Sequence, residues 1–176
     1  MKKLSAQFNK QKALVRRSLW AKAGFTLIEL LVVIVIIATL AVTVFVALNP
    51  AERIRDARDA RRTSDVDSIL TAIHAYIVDN NGLLPTGLVA DGTERHIGTS
   101  TGTPSCVIST GGCNVTVSTN CSNLTTSLAN YLASVPTDPN GGTDVLTRYS
   151  ALVATNGIVT VKACGTEGST NISSSR

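Results

Sequence analysis

Residues 25–48 read FTLIELLVVIVIIATLAVTVFVAL, and across those 24 positions Glu29 carries the only charge. As a helix at about 1.5 Å per residue the run covers roughly 36 Å, against about 30 Å for the hydrocarbon core of a bilayer. Its many β-branched residues would suit a buried strand in water. Strands of ordinary domains are much shorter, however, and lipid admits only backbone that satisfies its own N–H and C=O groups. A membrane-spanning helix is therefore expected. A secretory signal peptide needs an apolar stretch of about 7–15 residues and a small-residue cleavage site. This run is longer, and Leu48-Asn49-Pro50-Ala51-Glu52 is a poor site of that kind.

Upstream, residues 1–24 hold Lys2, Lys3, Lys10, Lys12, Arg16, Arg17 and Lys22 and no acid, a charge of +7. The rest of the 176-residue chain sets nine Lys and Arg against all twelve acids. The basic balance belongs to the leading segment, so it gives no reason to expect nucleic acid as a partner. By the positive-inside rule that segment stays in the cytoplasm and sends the C-terminus outward in a single pass.

Glu29 is expensive where it stands. A carboxylate inside a membrane helix costs on the order of 3 kcal/mol on the lower scales, and it should face protein or find a cation. No Lys or Arg lies between residues 23 and 52, so the run itself offers none. Ala23-Gly24-Phe25-Thr26-Leu27-Ile28-Glu29-Leu30-Leu31-Val32-Val33 resembles the prepilin processing signature of type IV pilins and type II secretion pseudopilins. The resemblance implies that a prepilin peptidase cuts between Gly24 and Phe25, removes 1–24 as a leader, and methylates the new N-terminal Phe25. It also implies that Glu29 meets the N-terminal amine of a neighbouring subunit during assembly, the cation the run lacks.

Asn49-Pro50 should disturb the helix, because proline lacks the donor and disfavours helix in the residue before it; continuation with a kink is the expectation. Residues 49–79 then keep a helical period, with Ile54, Ala57, Val66, Ile69, Ile73, Tyr76 and Ile77 on one side. From Glu52 to Asp67 five Arg and five acids alternate, and Arg55/Asp59 and Arg61/Asp65 stand four apart, suiting a solvated, mutually paired face. Asn80-Asn81-Gly82 and Pro85 should end this stem. Residues 58–65 and 79–85 also resemble the stem of pseudopilins.

Residues 80–176 form the expected head, outside the membrane. Within it 99–127 holds 14 Ser and Thr among 29 residues and reads as a loop-rich insertion. A short helix is expected at 124–133, then strands at 145–153 and 157–163 about a hairpin at Thr155-Asn156-Gly157. An antiparallel sheet packed on the stem's apolar face buries both. The expected fold is α+β and type IV pilin-like: a long N-terminal helix, membrane-spanning in its first half (25–48), packed on a small antiparallel sheet. Val135-Pro136-Thr137-Asp138-Pro139 and Tyr149 resemble the region before the sheet in major pseudopilins. Those proteins often end in an acid-rich calcium loop; here 165–171 carries Glu167 alone, with Asn171 a weak addition, so no metal is assigned.

Cys106, Cys113, Cys121 and Cys164 lie in the part expected outside, where two disulfides are favoured over free thiols or a metal site. Cys106–Cys113 with Cys121–Cys164 is the expected pairing. His74 on the stem and His96 in an expected Gly/Thr-rich loop neighbour no nucleophile motif, so no catalytic residue and no cofactor is assigned and the chain does not read as an enzyme. The resemblance implies a structural subunit of a type II secretion pseudopilus or a type IV pilus-like filament, in the periplasm or at the cell surface. Its implied partners are copies of itself, other pilin-like subunits, prepilin peptidase, the inner-membrane assembly platform and the lipid bilayer. A surface pilin for adhesion, motility or DNA uptake, or a membrane-anchored adhesive module that never polymerises, is the alternative.

Overall fold

The computed structural model describes residues 24–168 and 171–176; the expected leader, apart from Gly24, lies outside them. The chain divides between Ala47 and Leu48 into two compact units. The first holds helix α1 (Leu27–Leu48), whose side chains are all exposed, the large apolar ones by 47 to 81%. At 22 residues it is about 33 Å long, enough to cross a bilayer core. Its two hydroxyls turn inward on the backbone, Thr39 donating to the carbonyl of Ile36 and Thr43 to that of Leu40, both at 2.8 Å. No polar group of the helix centre is then left for lipid to solvate.

The helical run from Leu27 to Asp79 is interrupted at one residue. Asn49 is left-handed (φ 38°, ψ 68°), and α2 (Pro50–Asp79) starts with proline in its first position. Where a kink within a continuing helix was expected, there is a one-residue break. Pro50 has no N–H for the preceding turn, whereas first position suits its fixed φ. The carbonyl of Asn49 opens the new helix by accepting from Glu52 and Arg53, and its side-chain amide donates to the Glu52 carboxylate at 2.7 Å.

Burial on α2 starts at Arg62 and runs through Val66, Ile69, Leu70, Ala72 and Ile73, a three-and-four spacing that keeps them on one face. Ile54 and Ala57, placed on that face from sequence, are exposed. The helix ends where expected: Asn81 and Gly82 take positive φ (55° and 85°), and the Asn80 and Gly82 amides cap the carbonyls of Tyr76 and Ile77.

Five strands follow: β1 (Glu94–Ile97), β2 (Cys121–Ser122), β3 (Tyr149–Val153), β4 (Val159–Ala163) and β5 (Ile172–Ser175), in spatial order β2-β1-β3-β4-β5. The sheet is mixed rather than wholly antiparallel. The insertion leaves from the end of β1 and returns to run beside it, so β2 pairs with β1 in parallel, His96 opposite Cys121. The other pairs are antiparallel. The β3–β4 hairpin turns at the expected Asn156-Gly157, with Gly157 at φ 86°. Residues 124–133 form turns held by bonds from Leu128 and Leu132 to the carbonyls of Leu124 and Leu128, not the helix expected there.

Alternation along the strands gives the sheet two faces. Tyr149, Ala151, Val153, Val159, Val161 and Ala163 are buried with Val66, Ile69, Leu70 and Ile73 of α2 in one core, closed by Ile97, Leu124 and Leu128. On the opposite face His96, Ser150 and Lys162 stand in register across β1, β3 and β4. The insertion contributes Cys106, Gly112 and Cys113 to that side.

Candidate functional site: the start of the membrane helix and the arginine that anchors the head

Gly24, Phe25 and Thr26 precede α1 in irregular backbone, and Phe25 is 78% exposed. A peptide bond there is open to a protease, as a bond inside a helix would not be. Glu29 sits in the first turn of α1. Its carboxylate accepts from the main-chain N–H of Thr26 at 2.9 Å and from the Thr26 hydroxyl at 2.7 Å, while the Glu29 N–H reaches the Thr26 oxygen at 3.2 Å. This is a capping box, in which two otherwise orphaned donors at a helix N-terminus are satisfied reciprocally. Sequence reasoning weighed Glu29 for a cation and overlooked the Thr26-x-x-Glu29 spacing that signals the box. Glu29 therefore stands at the helix entrance, bound to the residue next to Phe25.

The larger surprise is Arg62. The stem was expected to carry a solvated face of paired charges, and Arg61–Asp65 does pair, loosely, at 3.8 Å. Arg62 instead is fully buried. Its Nε and Nη2 donate to the two oxygens of Asp138 at 2.7 and 2.9 Å. Nη1 donates to Asp59 at 2.7 Å, and Nη2 also reaches Glu167 at 3.1 Å. A planar guanidinium with five donors in a rigid fork can serve three carboxylates at once, as a lysine cannot. These bonds to Asp138 above all hold its proton far more firmly than usual, although burial opposes the charge. Asp59, expected to pair with Arg55, also accepts from the N–H groups of Glu167 and Gly168 at 3.1 and 2.8 Å.

Three distant segments meet on this one side chain: the stem, the Pro136–Pro139 turn and the 165–168 loop. Two glycines make room for the meeting. A side chain at Gly165 would run into the Asp138 carboxylate, and one at Gly142 into the Asp138 backbone. Glu167, the residue weighed for calcium, is held by Arg58 at 3.0 Å as well as by Arg62 and Asn140.

The four cysteines form two disulfides, paired otherwise than expected: Cys106–Cys121 and Cys113–Cys164, with Cα separations of 5.6 and 5.3 Å. The insertion folds back on itself through the Ile108–Val115 bridge, and the Cys106 amide bonds the carbonyl of Ser118, bringing Cys106 beside 118–121. Gly111 and Gly112, both at positive φ, turn the chain at the tip of this fold. Thr110 bonds the carbonyl of Cys164 at 2.6 Å there, so Cys113 meets Cys164 and not Cys106. His96 is also not in a loop: it lies in β1, 3% exposed, with both ring nitrogens bonded.

Residues 21–45 match the family model of the prokaryotic N-terminal methylation motif. No curated protein and no solved structure matches the chain. The matched stretch takes in the Gly24-Phe25 junction, the Thr26–Glu29 box and most of α1, and through it the chain carries the N-terminal signature of type IV pilins and pseudopilins.

Proposed function

We propose that this chain is a structural filament subunit, cut between Gly24 and Phe25 and methylated on Phe25. The matched methylation motif with the exposed junction ahead of α1 carries the reading. Before assembly α1 lies in the cytoplasmic membrane with the head outside; afterwards α1 packs among the same helices of neighbouring subunits. That transfer exchanges one apolar surrounding for another, so close packing and charge pairing must drive it, with little hydrophobic gain. Glu29 supplies the charge, and the free amine made at Phe25 of a neighbour is the cation that answers it. Prepilin peptidase, an inner-membrane assembly platform and other pilin-like subunits are the partners this requires. The chain then works as scaffold, not as enzyme.

Within this reading a type II secretion pseudopilus is favoured by the Pro136-Thr137-Asp138-Pro139 turn and its place against the stem. A surface pilus for adhesion, motility or DNA uptake is the second reading. It is favoured by the doubly disulfide-bonded Ser/Thr-rich insertion.

Intact mass and N-terminal sequencing of protein from its own membranes test the processing. A chain starting at methylated Phe25 supports the subunit reading; one starting at Met1, in cells with active prepilin peptidase, removes it. Glu29→Val tests assembly: normal membrane insertion with filaments lost is expected, and undiminished filament yield would refute the role given to Glu29.

A further inference from the structure

Residues 99–120 contain no Asp, Glu, Lys, Arg or His. What holds this insertion to the sheet is neutral bonding plus contacts to groups the sheet supplies. Thr110 bonds the Cys164 carbonyl, the Gly112 carbonyl accepts from Lys162 at 3.2 Å, and Cys113 Sγ lies 3.1 Å from the Ser150 hydroxyl. Beside the Cys113–Cys164 disulfide, His96 makes a further side-chain contact, and of these groups an imidazole is the one that ordinarily changes charge between about pH 5 and 8.

The ring sits between two partners that fix its proton. Nδ1 is 3.2 Å from the carbonyl of Cys106, which can only accept, so Nδ1 carries the hydrogen. Nε2 is 3.0 Å from the main-chain N–H of Arg148, which can only donate, so Nε2 is bare. A neutral imidazole satisfies both. An imidazolium does not, since it has a second N–H that would point at the N–H of Arg148. Arg148 has little slack to give: its backbone is left-handed at φ 64°, and its buried Nε has no partner.

The charges on the surrounding elements do not relieve the conflict. Ahead of β3 stands the Arg148 guanidinium, a like charge. On β1 itself Glu94 shares the face of His96, but it is occupied by Lys162 of β4 at 2.8 Å and by the Ser150 hydroxyl of β3. β2 offers the disulfide-bonded Cys121, and the insertion offers no charge at all. Burial pushes His96 below the ordinary histidine value, the Cys106 carbonyl pulls the other way, and Arg148 adds to the lowering. The neutral form is favoured in the fold. Its contribution is therefore complete above the unfolded value of about 6.5 and is lost as pH falls below it.

We infer that His96 is an acid-operated clasp: neutral, it fastens the 99–121 insertion to the head at Cys106; protonated, it swings out from between Cys106 and Arg148 and lets the insertion lift. Cys106–Cys121 and Cys113–Cys164 keep the lifted segment tethered, so the change is a local opening that reverses on neutralisation.

The test is hydrogen exchange of the full chain in detergent micelles at about pH 7.5 and about pH 5, with rates corrected for the intrinsic pH dependence of exchange. Expected is a rise on the order of tenfold in the corrected rates of 106–121 and of the Arg148 amide, with the Val66–Ile73 turns of α2 unchanged. In His96→Gln the insertion should exchange alike at both pH values. Unchanged exchange in the parent chain, a rise shared equally by α2, or a rise that persists in His96→Gln would each overturn the clasp. Should the variant not fold, the ring's own proton resonances decide: titration below about 6.5 in step with the insertion amides supports it, and titration at or above that value refutes it.

Discussion

Arg62 and Asp138, 76 positions apart in the chain, share a two-pronged ion pair at 2.7 and 2.9 Å with neither side chain exposed to solvent. Removing one partner of a buried pair leaves the other charge uncompensated, which costs about 3–5 kcal/mol. Arg62→Met should lower stability by that amount, since it strands Asp138 and leaves Asp59 and Glu167 close by. Asp138→Asn, which keeps an acceptor and the shape, should cost distinctly less. Denaturant unfolding of the two variants beside the parent chain measures the difference; equal and small effects would mean the pair contributes little.

Gly165 offers an approach to the same centre that changes no charge. Its φ lies outside the left-handed region, so the backbone tolerates alanine, but the added methyl would collide with the Asp138 carboxylate. Gly165→Ala should therefore destabilise by about 1–3 kcal/mol, the range for overpacking. In a cycle with Asp138→Asn the two losses should fail to add, because both act on one contact.

Asp59 and Glu167 predict the response to strong acid. Burial raises both carboxyls, but the bonds from Arg62, with those from the Glu167 and Gly168 amides for Asp59 and from Arg58 for Glu167, outweigh it and hold both below the usual range. Groups lowered in the fold add stability above their unfolded values, about 4, and lose it as pH falls through the folded ones. His96, also lowered, acts in the higher window beginning near 6.5. Melting temperature should thus fall in two stages on acidification. Arg58→Gln, which takes one partner from Glu167, should shrink the lower stage and leave the upper one intact.

Much of this was legible before any coordinates. The apolar run and the stop at Asn80-Asn81-Gly82 depend on local chemistry, and both stand where the sequence put them. Periodicity named Val66, Ile69 and Ile73 as facing the head, and the same rule misplaced Ile54, 52% exposed, because a period gives a face but not what covers it. Arg62 was out of reach for a related reason. Spacing rules see partners three or four residues away, and they paired Asp59 with Arg55, when the deciding partners lie 76 and 105 positions on. β1 (Glu-Arg-His-Ile) and β5 (Ile-Ser-Ser-Ser) lack the apolar alternation that marks a strand, and each takes its register from a neighbour.

The disulfide pairing yields a graded prediction. On the loop-closure account a crosslink over 15 positions contributes about 3 kcal/mol and one over 51 about 4. The double variant Cys113→Ser/Cys164→Ser should accordingly melt below Cys106→Ser/Cys121→Ser. It also loses the tie between insertion and sheet. Thermolysin digestion without reduction should yield peptides joined Cys106 to Cys121 and Cys113 to Cys164; a Cys106–Cys113 peptide would contradict the pairing.

The span between Arg62 and its partners also governs the order in which the head can form. A chain made from its N-terminus delivers the stem first, with Asp59 already beside Arg62, then Asp138, and Glu167 last of the three acids that gather on Arg62. Contacts so far apart in sequence close late, because the loop entropy must be met before they repay it. Until the later segments arrive, Arg58 lacks its Glu167 partner, Arg62 is paired with Asp59 alone, and the apolar face from Val66 to Ile73 stays open. Arrival of Glu167 completes the set of carboxylates on Arg62 after β3 and β4 have covered the apolar face, so a subunit should become competent to join its neighbours only once its head is complete.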